Sequence, residues 1–208
     1  MNRSNALKWR YCIKFPDVKP ALSFLTFLAL PILFLSGTGL TADKKFINGE
    51  ENGLIHWYTF PEAVALSQKN PRKIFVDIYT DWCGWCKVLN RETFSHPVIA
   101  AYLSSKFYPV KFNAESADTI RFLNAVFANP NAGQRGATHQ FAVSILDGKL
   151  SYPSLVFLDE NIKRINIMQG FMKPDKFEPY LKYYGEGKYV NSSFEEFQKT
   201  FTGNVKSN

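Results

Sequence analysis

Cysteine and histidine are scarce in this chain, and their scarcity limits the chemistry it can carry. Of 208 residues, three are cysteine and three are histidine. Cys12 belongs to an N-terminal segment unlike the rest, which leaves Cys83 and Cys86 for the body of the chain. Two cysteines cannot staple a fold as a disulfide framework does. Zinc takes four ligands, whereas His56, His96 and His139 are scattered and no second ligand pair stands at metal spacing. No metal and no other cofactor is therefore expected. Internal repeats and low-complexity stretches are also absent. An excess of positive charge is missing from most of the chain as well. The formal charge is +7, but residues 1–42 hold Arg3, Lys8, Arg10, Lys14 and Lys19 against Asp17 alone. Beyond Ala42 there remain 20 basic and 17 acidic residues, too even a balance to predict a nucleic-acid partner.

The only long apolar run is residues 21–35, ALSFLTFLALPILFL, which succeeds a basic segment and precedes small residues up to Ala42. That order is the one found in secretory signals. We expect residues 1–42 to be a signal peptide cut near Ala42, or else an N-terminal anchor, since 21–40 reaches across a bilayer if left uncleaved. Either outcome places the remainder outside the cytoplasm, the positive segment staying inside. Contact with the membrane is expected through this segment alone. Residues 43–54 are polar and read as a linker.

Residues 73–87, KIFVDIYTDWCGWCK, organise the rest of the chain. Ile74, Phe75, Val76, Ile78 and Tyr79 form an apolar, β-branched and aromatic run that predicts a buried strand. The run breaks at Thr80-Asp81 and delivers Cys83 and Cys86. Three positions apart on a helix, two cysteines share a face and lie within reach of a disulfide. At the start of that helix, unpaired amide groups and the helix dipole favour a thiolate at Cys83, lowering its pKa from ~8.5 to roughly 3.5–7.5. The pair reads as a redox dithiol, with Cys83 the nucleophile and Cys86 the resolving thiol.

This stretch resembles the active-site segment of the thioredoxin family: Trp82 before the first cysteine, Gly84 after it, Lys87 after the second, and Asp77 six residues upstream. Trp85 stands where thioredoxin itself carries proline, which leaves the direction of electron flow open. The resemblance spans about residues 55–184. It implies an α/β thioredoxin-like fold, a central mixed sheet flanked by helices. It further implies a cis-proline at Pro153, after Tyr152 and facing the dithiol. Asp77, if buried behind the helix, would take the Cys86 proton; the alternative is an aspartate hydrogen-bonded within the strand edge. Lys111, in the next strand, would lie near Asp77; the alternative is a solvated strand lysine. Trp82, Trp85, Tyr152 and Pro153 are expected to form an apolar rim for an extended substrate segment.

Around this centre we expect a short strand at 55–58 and helices opened by Pro61, Pro97 and Pro174. Strands are expected at 107–113 and 155–158, with 162–170 the hairpin partner of the latter. Ile120, Leu123 and Phe127 have helical spacing and predict a helix over 117–127. A loop at 129–136 and a second helix from Thr138 would complete an enlarged helical insertion around 117–150, with His139 a surface residue at its helix start. Residues 185–208 form a C-terminal extension holding one amphipathic piece, FEEFQKTF.

The expected activity is thiol–disulfide exchange on protein dithiols or disulfides, as an exported reductant fed by a membrane electron donor. The same residues at a higher potential would serve a disulfide oxidase or isomerase. In a third reading the cysteines form a structural disulfide in a non-catalytic binding module.

Overall fold

The computed structural model describes residues 54–134 and 136–206. The leader at 1–42 and the linker at 43–54 fall outside these residues, apart from Leu54.

Three helices begin where proline supplies a ready-made helical φ and lacks the N–H that a first turn cannot use. These are α1 (Phe60–Lys69), α3 (Pro97–Lys106) and α5 (Pro174–Gly185). α1 is further fixed by a capping box: the Thr59 hydroxyl accepts from Glu62 N–H while the Glu62 carboxylate accepts from Thr59 N–H. Four strands, β1 (Lys73–Tyr79), β2 (Phe107–Asn113), β5 (Ser154–Leu158) and β6 (Arg164–Gln169), form one sheet in the order β2-β1-β5-β6. β1 and β2 are parallel, and the other two pairings are antiparallel. β1 and β5 are central and covered on both faces, which explains their nearly unbroken apolar sequences. This is the mixed sheet that the sequence predicts.

Period-two alternation splits the core into two layers. Ile74, Val76 and Ile78 join Val110, Phe112, Val156 and Leu158 on one face, with Phe60 of α1 and Phe141. Phe75, Phe107, Leu155 and Phe157 face the other way, against Leu89, Leu103, Phe177 and Leu181. Asp77 shares the parity of Phe75, and Lys111 that of Phe107. Both therefore point to the face on which α2 (Gly84–Leu89) packs through Leu89.

Three expectations are corrected. Residues 117–127 are no helix: β3 (Ile120–Phe122) and β4 (Ala125–Phe127) form an antiparallel hairpin. Ile120 and Phe127, one helical face apart in the sequence, are instead cross-strand partners. Leu123 sits in the turn at φ 54° and is exposed. The insertion is thus a hairpin and one short helix, α4 (Gln140–Ile145). His139 does cap α4, but it is fully buried rather than on the surface. Its Nδ1 accepts from Phe141 N–H at 3.0 Å and its Nε2 lies 2.7 Å from the Asp118 carbonyl, so both ring nitrogens are satisfied. The strand expected at 55–58 is reduced to a single bridge between Tyr58 and Val110.

The C-terminal extension packs on α5. Phe194 of α6 (Phe194–Thr200) stacks on Tyr180 with ring centroids 3.9 Å apart. Beyond α6, Asn204 and Val205 donate their N–H groups to the Glu178 carboxylate at 2.8–2.9 Å.

Candidate active site

β1 ends at Tyr79, and the chain turns through Thr80 and Asp81 into α2. Cys83 is the N-cap of α2, in extended conformation, and its Sγ accepts from Cys86 N–H at 3.1 Å. Cys83 and Cys86 are joined in a disulfide, with Cα atoms 5.3 Å apart. A sulfur placed where the first helical N–H groups point is where negative charge is best tolerated. Both cysteines are buried, whereas the tryptophans beside them are 66% (Trp82) and 62% (Trp85) exposed.

Of the four residues expected at the rim, Trp82 and Tyr152 meet, and Trp85 packs on a different partner. The Tyr152–Pro153 peptide is cis, and Gly170 N–H donates to the Pro153 carbonyl at 2.8 Å. Trp82 meets Tyr152 edge-on at 6.0 Å. Trp85 stacks on Phe171 at 5.6 Å, a partner that carries no signal in the sequence. The Met172 carbonyl accepts the Thr93 hydroxyl at 2.6 Å, so the chain after β6 is tied twice to the α2 segment and the turn beyond it. That turn, Asn90–Phe94, is π-helical. Exposed indole faces forfeit about 25 cal/mol per Å² of apolar area that a docking chain would cover, which is the physical case for a binding rim here.

Asp77 and Lys111 are register partners across β1 and β2. Asp77 is 2% exposed and its Oδ1 accepts no hydrogen bond among the described residues. Burial pushes its carboxyl up from the ordinary 3.8 to about 7, against the opposing pull of the Lys111 charge. Lys111 is half-buried, not a solvated strand lysine. Its Nζ donates to Asn90 Oδ1 at 2.9 Å and lies 5.3–5.5 Å from the Tyr79 and Trp57 rings. Asn90 and Trp57 have no signal in the sequence beyond their neighbourhood. His56 and His96 stand apart from the dithiol; among the described residues no group of His, Cys, Asp and Glu side chains gathers to hold a metal. Nor is any described helix long and apolar enough to cross a membrane.

Comparison with known proteins agrees with this geometry. A family model described as thioredoxin-like matches residues 56–160. A thiol:disulfide interchange protein DsbD of Pectobacterium atrosepticum is 28% identical over 116 residues, 55% of this chain but 17% of that protein. An uncharacterised Caenorhabditis elegans protein is 28% identical over 86 residues, 41% of this chain and 12% of the other. The chain thus spans a small fraction of the curated relatives it matches. Among solved structures, a Thermus thermophilus thioredoxin superposes with a TM-score of 0.48 at 19% identity, over 67% of this chain and 97% of that one.

Proposed function

Because the chain belongs to the thioredoxin-like family and seats a closely spaced cysteine pair at a helix start, we propose that it is a thiol–disulfide oxidoreductase acting on protein disulfides. The observation that carries this reading is Cys83 as N-cap, its sulfur accepting the Cys86 N–H at the foot of two exposed tryptophans. A structural disulfide in a binding module would need neither the cap position nor the apolar rim.

In the reductive direction the Cys83 thiolate attacks one sulfur of a substrate disulfide. The Cys83–substrate bond forms as the substrate S–S bond breaks, and the leaving thiolate takes a proton from water. Cys86, once deprotonated, attacks Cys83 Sγ and expels the second substrate thiolate. The substrate gains two electrons, and the Cys83–Cys86 disulfide seen here is the product. Asp77, buried on the α2 side of the sheet with a carboxyl near neutrality, is the base for the Cys86 proton. Lys111 tunes that base. Trp82, Trp85, Tyr152 and Pro153 hold the substrate segment beside Cys83. Regeneration requires an external dithiol, which we assign to a membrane electron donor, and residues 1–42 direct the domain out of the cytoplasm.

An equilibrium titration against glutathione tests the direction. A potential near about −270 mV supports the reductant, and one near about −120 mV assigns the same site to an oxidase or isomerase. In the same preparation, Cys86→Ser traps a mixed disulfide at Cys83, whereas Cys83→Ser traps none. Thiols inert to alkylation at neutral pH would return the domain to a binding role.

A further inference from the structure

One residue bound to the rim carries a charge that exchange chemistry does not require. Glu115 lies just beyond β2, where its N–H donates to Asn113 Oδ1 at 2.9 Å. Its carbonyl accepts from Asn129 Nδ2 at 3.3 Å, and the same buried amide donates to the Ala137 carbonyl at 3.3 Å. The loop between the β3–β4 hairpin and α4 therefore fixes the Glu115 backbone, and this gives the insertion a task at the site. The Glu115 side chain reaches the tryptophan that precedes Cys83: Oε1 accepts the Trp82 indole N–H at 3.0 Å, and Trp82 in turn rests its edge against Tyr152. No cation pairs with Glu115 among the described residues. Asp81, on the approach to Trp82, is held by Asn113 Nδ2 at 2.9 Å and adds charge of the same sign. Arg91, farther along, is paired with Glu92. The field of Glu115 reaches the rim: Tyr152 is pushed up first by burial and further by Glu115, against the opposing pull of Thr138.

We infer that Glu115 is a specificity-determining residue. It favours substrate segments with lysine or arginine beside the reactive cysteine and disfavours those with aspartate or glutamate there. The inference rests on the exchange reading above. An unpaired carboxylate at a half-exposed rim interacts modestly with a docking charge, so each flanking charge changes the rate by about two- to fivefold. The ratio between a basic and an acidic substrate is then about tenfold at low salt. It shrinks at about 0.5 M salt, where the screening length falls to roughly 4 Å.

The test uses three peptides of equal length with one internal disulfide, identical except for Lys, Ser or Glu beside the attacked cysteine. Second-order rate constants for their reduction by the reduced protein are divided by those for dithiothreitol, which removes intrinsic peptide reactivity. Glu115→Gln keeps an acceptor for the Trp82 indole and removes the charge. The expected result is a Lys:Glu ratio near about tenfold in the unmodified protein that falls to about twofold or less in Glu115→Gln, with the Ser peptide changed by less than about twofold. Glu195→Gln, an exposed carboxylate on α6, leaves the ratio intact. A ratio unchanged by Glu115→Gln, or lost equally in Glu195→Gln, overturns the charge selection while exchange stands. Failure to reduce any of the three peptides overturns exchange and the selection together.

Discussion

Two carboxylates in this molecule are equally hidden from solvent, at 2% exposure each, yet Asp77 lies deeper and the two shift in opposite directions. Glu178 on α5 accepts from two backbone N–H groups of the tail and pairs with Lys182 at 3.1 Å. Those partners hold its carboxyl below the usual range although burial acts to raise it. Asp77 leaves one oxygen without a hydrogen bond, faces a lysine whose Nζ donates to Asn90, and is driven up to about 7. Depth of burial and the donors supplied to the charged form together decide the state of an acid. A carboxylate given donors stays charged and clamps structure, and one short of them is held toward its neutral form.

The two acids give opposite pH slopes. Asp77 has a folded value above its unfolded one, so its contribution is full below about pH 3.8 and is lost as pH rises through about 7. Glu178 is lowered from 4.5, so its contribution is present above that value and lost as pH falls through the folded one. At ~1.4 kcal/mol per decade, the Asp77 difference amounts to about 4 kcal/mol at most.

The sharpest way to break the contrast is Asp77→Asn. It should slow resolution of the mixed disulfide by about 10²-fold and flatten its dependence on pH near 7, measured by stopped-flow mixing across about pH 5–9. The same variant should be more stable at about pH 8 by about 2–4 kcal/mol in denaturant titrations, a gain that disappears below about pH 4. Glu178→Gln should do the reverse, costing about 3 kcal/mol while alkylation of Cys83 keeps its rate. Fast hydrogen exchange at the Asn204 and Val205 amides would locate the loss. Lys111→Met removes the charge that lowers Asp77, so the midpoint of the pH–rate profile for resolution should move upward; a midpoint left in place would exclude Lys111 as the tuning group. The smallest effect is expected at Gly203, where an added Cβ would lie 2.8 Å from Glu178 Oε2. Gly203→Ala should cost about 1 kcal/mol by loosening the clamp, read as a small drop in denaturation midpoint.

The Asp77 half of this contrast is legible in the sequence, and the Glu178 half is not. A buried strand running into Trp82-Cys83-Gly84-Trp85-Cys86 is a local signal, as are a proline opening a helix and an apolar run after Tyr152-Pro153. The backbone donors to Glu178 stand 26 and 27 residues away in a polar tail, and its local i,i+4 partner Lys182 does not reveal them. Glu115 and Phe171 are hidden for the same reason: each reaches the site through a contact distant in sequence. The hairpin at 120–127 escapes a sequence reading because Ile120, Leu123 and Phe127 fit a 3.6-residue period as well as a turn about Leu123. Side-chain spacing does not record a positive φ at a leucine. His139 reads as superficial because polar residues usually are, yet the Asp118 carbonyl and Phe141 N–H satisfy it inside the core.

The bridge at Tyr58 also bears on how copies of this protein meet one another. β2 lies at the margin of the sheet, where unpaired backbone groups invite a strand from another molecule. Tyr58 N–H already occupies the Pro109 carbonyl at 2.8 Å. That carbonyl points off the sheet, so the N–H that proline lacks is missing from the same outward side, at no cost to pairing with β1. An incoming strand therefore finds an acceptor taken and a donor absent near the middle of the seven-residue margin. The margin of the sheet is thereby closed to an extended chain near its middle.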